Sequence, residues 1–296
     1  MNHKVKPFSF VVIVGYGDIG QRLAAIWQEK GLNVSGLARS AVSQQAMQAQ
    51  RVEPALADLS KPESLQNLNL ADTLVYYFAP PPRHGQTDPH MANFLAAVEA
   101  DKLPARIVAI STSGVYGDCQ GDIVTEDRPT NPQVDRAHRR LNMEQQLRNW
   151  GTDNNVPVVI LRVGGIYSCE RLPLERIKKG IPLIHKHLSP KTNRIHADDL
   201  AQVCVAAALK GKADNIYNVS DGCESNMTEY FITLADFFNL PRPPLIDWSE
   251  AEQTISEGML SYLKESRRMD NTKMIEELGV TLKYPDLHSG LKPCKN

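Results

Sequence analysis

No stretch of this 296-residue chain approaches the roughly 18 consecutive apolar residues that a bilayer requires, so no membrane-spanning helix is expected. Neither sign of charge is in excess. The 33 Lys and Arg residues face 34 Asp and Glu, a balance that points to no nucleic-acid partner and no acidic membrane surface. Cysteine is sparse: Cys119, Cys169, Cys204, Cys223 and Cys294 are odd in number, widely scattered and never spaced as CxxC. That pattern excludes a zinc site and reads as reduced thiols of a cytoplasmic protein, with no disulfide framework and no metal. The opening MNHKVKPFSFVVIVG lacks the small-residue cleavage site of a signal peptide. With 42% apolar and 23% charged residues, a disordered chain is excluded. At roughly 100–200 residues per domain, one large α/β domain or a domain with a smaller lobe is expected.

Short runs rich in Val and Ile alternate with amphipathic stretches through the first half, the pattern of βαβ units and a parallel sheet. The runs are 8–14, 33–38, 73–79, 106–110 and 156–163, and a third strand is read just before Asp58 in Ala57-Asp58-Leu59. Ile19, Leu23, Ile26 and Trp27 repeat at helical spacing after the first run, and Gly31 closes that helix. Val75 to Ala79 is apolar without alternation, as a strand covered on both faces should be, and Pro80 to Pro82 stop it at the sheet edge. Met143, Leu147 and Trp150 form one stripe on a helix, and 198–209 reads as a buried helix. After Tyr167 the alternation breaks down, with Pro241, Pro243 and Pro244 among irregular chain and a helical piece over 230–238.

The strongest local signal is Gly15-Tyr16-Gly17-Asp18-Ile19-Gly20, a GxGxxG directly after a strand and opening a helix. Gly15 permits the tight turn, Gly17 lets a pyrophosphate approach the backbone, and Gly20 lets helix and strand pack closely. The helix N-terminus adds free amides and a partial positive charge. At the tip of the second strand an NAD ribose would call for Asp or Glu, but the residues are Leu37, Ala38, Arg39 and Ser40. Arg39 suits a 2′-phosphate, with the Ser40 hydroxyl beside it, so NADP is expected over NAD. Asp58 either bonds the adenine amine or caps a helix beginning near Pro62.

Four segments together resemble the extended short-chain dehydrogenase/reductase superfamily, in its atypical epimerase/dehydratase-like branch. They are the glycine turn, Ser111-Thr112-Ser113-Gly114-Val115-Tyr116-Gly117, 161–167 (LRVGGIY) and 194–201 (RIHADDLA), and 218–221 (NVSD) continues the order. The resemblance implies a Rossmann-like doubly wound parallel sheet, residues 1–166 completed by 197–219. A smaller C-terminal substrate lobe would comprise 167–196 and 220–296. It places Leu59, Phe78, Ala79 and Pro80 in the cofactor groove, together with Ser111, Val163 and Ile166, and it makes Thr112 the holder of the substrate oxygen. A homodimer through helices such as 136–150 is a further implication.

The family's YxxxK pair is missing; the aligned positions are Arg136 and Arg140. A phenol can be pulled toward neutrality by a neighbouring cation, whereas guanidinium keeps its proton at any working pH. Arg136 therefore cannot shuttle a proton, while Arg140 can still bond the ribose as the family's Lys does. Ser113-Gly114 replaces the dehydratase Asp-Glu pair, and Gly165 stands where nucleotide-sugar members commonly carry Asn. Substitute proton carriers would be His138, Tyr116, Tyr167 or His196. Of these, His138 points about 200° away from the lost Tyr, the tyrosines read as cleft walls, and His196 as structural beside capping Asp198 and Asp199. Arg136, Arg139 and Arg140, with Lys178, Lys179, His185, Lys186 and His187, would greet an anion if they lined one cleft. Two functions stay open. One is an NADP-dependent oxidoreductase or epimerase-like enzyme acting on a small carbonyl/hydroxyl or sugar-like molecule; the other is a catalytically impaired NADP-binding regulatory or sensor protein. Flavin binding on a similar fold is a third, weaker option.

Overall fold

A computed structural model describes residues 8–66 and 68–295. Seven strands form one wholly parallel sheet: β1 (Phe10–Val14), β2 (Asn33–Ala38), β3 (Glu53–Leu56), β4 (Leu74–Tyr77), β5 (Arg106–Thr112), β6 (Val158–Val163) and β7 (Asn215–Val219). Their spatial order is β7-β6-β5-β4-β1-β2-β3. The chain leaves β1 toward β2 and later returns to β1's other side as β4, with Val11 opposite both Val34 and Leu74. That reversal between β1 and β4 opens a crevice at the C-terminal ends of the strands.

Strand alternation builds two cores. Val11 and Ile13 face a layer made by α1 (Asp18–Glu29) and the helix Ala197–Lys210, with Leu23, Trp27, Leu200 and Tyr217. Val12 and Val14 face the other layer, with Phe94 from Pro89–Ala96 and Met143 and Leu147 from the helix Asp135–Asp153. Because both faces are covered, Val75, Tyr76 and Tyr77 are wholly buried, which accounts for the unbroken apolar run. Truncating a fully buried core leucine such as Leu23 would cost about 2–5 kcal/mol. The third strand runs over Glu53–Leu56, and the ladder extends to the Ala57 amide on the Ala38 carbonyl (3.0 Å), so Asp58 follows the strand as expected.

A smaller apolar cluster of Ile177, Leu183, Phe231, Leu234 and Leu291 gathers around the helix Met227–Phe237. Met274 and Leu278 of Thr272–Leu278 pack back into the first core. The expectation of five reduced thiols is corrected: Cys169 and Cys294 form a disulfide, while Cys119, Cys204 and Cys223 are free. The C-terminal segment docks on the buried Tyr167, whose hydroxyl donates to the Asp286 carbonyl (3.2 Å), and this brings together cysteines 125 residues apart. No helix among the described residues is long and apolar enough to cross a membrane.

Candidate cofactor groove and ligand cleft

The glycine turn lies at the end of β1, beside the β1/β4 crevice. Gly15 has φ +102°, and a Cβ there would fall 2.5 Å from the Ala79 amide nitrogen. At Gly20 a Cβ would meet the Gly15 carbonyl and Ile13 at 3.2 Å, so both glycines serve close packing. Gly17 differs, since a Cβ there would meet no protein atom within 4 Å. It is the N-cap of α1, and no side chain caps the helix's first amides. An open face, uncapped amides and a positive helix end fit a pyrophosphate. Ile19 is buried, and Asp18 is held by Arg22 (2.8 Å) and Arg171 (3.3 Å). The Tyr16 hydroxyl donates to Gln50 (2.6 Å), and burial pushes its pKa up to about 12.

Arg39 is exposed at the tip of β2. Ser40 is the N-cap of Ala41–Ala49, its hydroxyl accepting from the Ser43 amide (3.3 Å). Asp58 does not cap the turn at Pro62, whose N-cap is Lys61; its carboxylate accepts the Ser60 amide (2.9 Å) and hydroxyl (2.7 Å). These hydrogen bonds hold its pKa below the usual carboxylate value, and Arg39 adds a smaller pull. Leu59 is half-buried next to it, its carbonyl accepting from Asn93 (2.8 Å).

Across the crevice, the Phe78 amide donates to the Val14 carbonyl (2.7 Å), Ala79 is buried and Pro80 exposed. Arg140 reaches over these strand ends and donates to the Ala79 carbonyl (3.1 Å). Burial lowers its pKa, against the pull of Asp88. The Ser111 hydroxyl and Val163 are buried nearby, and Ser111 Oγ has no protein partner. Thr112 caps the turn after β5, its hydroxyl accepting from the Gly114 amide (3.2 Å).

Beyond Thr112 lies a cleft of about 680 Å³, walled also by Ile166, Tyr167 and Tyr230. Arg136, Arg139 and Arg140 line it together from one helix. Lys178, Lys179, His185, Lys186 and His187 do not join them. In their place come Arg83, Lys191, Arg194 and Arg267, which sequence reading missed because they stand on three stretches far apart in the chain, at 83, 191–194 and 267. Glu265 is the only carboxylate in this lining; one oxygen accepts from Arg267 (2.8 Å) and the other, Oε1, is buried without a partner.

The substitute proton carriers fare differently. Tyr116 is not a cleft wall: it is buried, and its hydroxyl donates to Asn218 (2.7 Å). His138 lies outside the cleft lining. His196 itself caps the helix Ala197–Lys210, its Nδ1 accepting from the Asp198 amide (3.2 Å). The expected aspartate caps are corrected as well, because Asp198 pairs with Arg22 and Asp199 accepts the amides of Lys283 (2.8 Å) and Tyr284 (2.9 Å).

A family model described as the NAD dependent epimerase/dehydratase family matches residues 11–220. The chain belongs to this family. Protein YeeZ of Escherichia coli (strain K12) is 27% identical over 296 residues, covering 93% of this chain and 96% of that protein. A functionally unknown conserved protein from Silicibacter pomeroyi DSS has a similar structure, with TM-score 0.82, 28% identity, and 97% and 98% of the two chains covered. The dTDP-glucose 4,6-dehydratase DesIV from Streptomyces venezuelae, solved with NAD and TYD bound, matches at TM-score 0.77 over 96% and 95% of the chains. At 18% identity that likeness concerns the fold. The epimerase/dehydratase family and its Rossmann-like parallel sheet therefore stand as read from the glycine turn onward.

Proposed function

We propose that this chain binds NADP along the C-terminal edge of the sheet and holds a small-molecule ligand in the adjoining cleft without the family's proton transfer. The observation that carries this reading is the wall of the cleft itself. Arg136 and Arg140 line it at the positions aligned with the missing Tyr and Lys, and neither guanidinium gives up a proton at a working pH. Among the described residues, no Tyr, His or carboxylate hydrogen-bonds the Thr112 hydroxyl. NADP, when bound, supplies hydride chemistry; this chain's residues hold and orient it. Gly17 and the first amides of α1 would seat the pyrophosphate, Arg39 the 2′-phosphate, and Asp58 the adenine. DesIV carries NAD; the absence of a carboxylate at the β2 tip supports NADP here.

A second reading, an NADP-dependent oxidoreductase or epimerase acting on a carbonyl/hydroxyl or sugar-like substrate, rests on Glu265. It lines the same cleft with one unpartnered oxygen and is chemically able to pass a proton. Calorimetry with NADPH, NADP and NADH, followed by a turnover panel of carbonyl compounds and sugar nucleotides, separates the two. The expected outcome is binding of NADP(H) in preference to NADH by about tenfold or more, lost in Arg39→Gln, with no turnover. Turnover abolished by Thr112→Ala would favour the oxidoreductase. Failure of every dinucleotide to bind would sink both readings.

A further inference from the structure

Resting on the reading of the cleft as a ligand site, we infer that its ligand is a small polyanion gripped through phosphate or carboxylate groups by Arg136, Arg139, Arg140 and Arg194. The argument begins with what these four arginines lack. Their hydrogen-bond partners are all neutral: Arg136 on the Ser261 hydroxyl (2.7 Å), Arg139 on the Gly85 carbonyl (2.6 Å), Arg140 on the Ala79 carbonyl (3.1 Å) and Arg194 on the Ser225 hydroxyl (2.6 Å). Among the described residues none of the four forms an ion pair. Arg139 and Arg194 are each only 7% exposed, and Arg139 Nε has no partner at all. A buried charge is costly unless paired, so a structural arginine ordinarily comes with its carboxylate. Arg162 follows that rule with Glu144 at 2.8 Å. Arg106 is the informative exception: it donates to the Ala207 and Gly211 carbonyls at the end of the helix Ala197–Lys210, where the helix dipole is negative. The four cleft arginines have neither arrangement.

Asp88 and Asp221 act on Arg140 and Arg194 only through space, and burial pushes both carboxyl groups up, which weakens them as counter-ions. The guanidinium groups of Arg136 and Arg194 are stiffened by stacking, 3.7 Å over the Tyr262 ring and 4.0 Å over the Tyr230 ring. Stacked, neutral-partnered guanidiniums around one cleft present pre-organised forks to oxyanions.

The test uses the full chain with and without saturating NADPH, titrated by calorimetry with inorganic pyrophosphate, with citrate, and with acetate as a single-charge control. One site per chain is expected for pyrophosphate, citrate or both, with acetate far weaker. The stronger arm identifies the ligand chemistry as phosphate or carboxylate. Binding should persist with NADPH present, which reserves the glycine turn. It should weaken about tenfold or more in Arg136→Gln and in Arg194→Gln. Arg136 is partly exposed, so its variant remains informative if loss of Arg194 impairs folding. No saturable binding of either polyanion, or binding indifferent to these substitutions, overturns the inference. If NADPH fails to bind while the arginine-dependent anion binding persists, the cofactor reading falls and this one stands.

Discussion

Gly15 and Gly17 are two residues apart and do opposite work. Gly15 carries a positive φ and a backbone contact that no side chain can share, so Gly15→Ala should destabilise the fold by about 3 kcal/mol or more. Gly17 faces open space, so Gly17→Ala should cost at most about 1 kcal/mol, as a weakened N-cap. On the proposed reading it should nonetheless reduce NADP affinity severely, because the methyl group would occupy the place proposed for the pyrophosphate. Thermal melts and NADP calorimetry on the two variants check this: equal melting temperatures, or undiminished NADP binding by Gly17→Ala, would contradict the assigned roles. Both glycines are visible in the GxGxxG spacing. Their division of labour is not, since it depends on where the Phe78-Ala79 backbone passes.

At the level of elements, the helix Asp135–Asp153 is fastened to β6 by Glu144 and Arg162, both buried, with Arg162 also 4.8 Å over the Tyr116 ring. Glu144→Gln leaves a buried guanidinium unpaired and should cost about 3–5 kcal/mol in denaturant melts; a loss below 1 kcal/mol would show that the pair does not fasten the helix. The same anchoring sets the direction in which Arg136 and Arg140 project. A second element, the helix Ala197–Lys210, has a pH-dependent cap. His196 accepts the Asp198 amide and so must be neutral at Nδ1, and burial lowers its pKa from 6.5. Since the folded pKa lies below the unfolded one, this contribution is fully present above pH 6.5 and is lost as pH falls through the folded value. Melting temperature should therefore decline below pH 6.5, and His196→Asn, which keeps a cap but loses the buried ring, should be less stable yet flatter across that range. An unchanged slope in the variant would assign the acid sensitivity elsewhere.

On the scale of the whole molecule, the Cys169–Cys294 bridge closes a long loop across the fold. Reduction, or Cys294→Ser, should lower stability by about 2–4 kcal/mol through the freed unfolded chain. The check is a thiol count with and without reductant beside parallel melts: three reactive thiols in the unreduced, denatured chain are expected, and five would refute the bridge. The bridge also follows Tyr167 and precedes Glu170, which pairs with Arg22 of α1 at 3.1 Å. The C-terminal segment is thus tied to chain that borders both groove and cleft.

The sequence by itself determined the parallel sheet, the glycine turn and the loss of the YxxxK pair. Each is written in a local pattern: apolar runs bounded by turns, three glycines at fixed spacing, and arginines on one helix. The core role of Tyr116 and the engagement of Asp198 by Arg22 and of Asp199 by the Lys283 and Tyr284 amides, which leaves the cap to His196, were decided by tertiary packing. So was the convergence of Arg83, Lys191, Arg194 and Arg267 with the arginines of the helix Asp135–Asp153. The physical reason is separation along the chain. A near-neutral total charge conceals a cationic cleft because most of the compensating carboxylates lie elsewhere in the molecule, and only folding brings like charges from four segments to face one space.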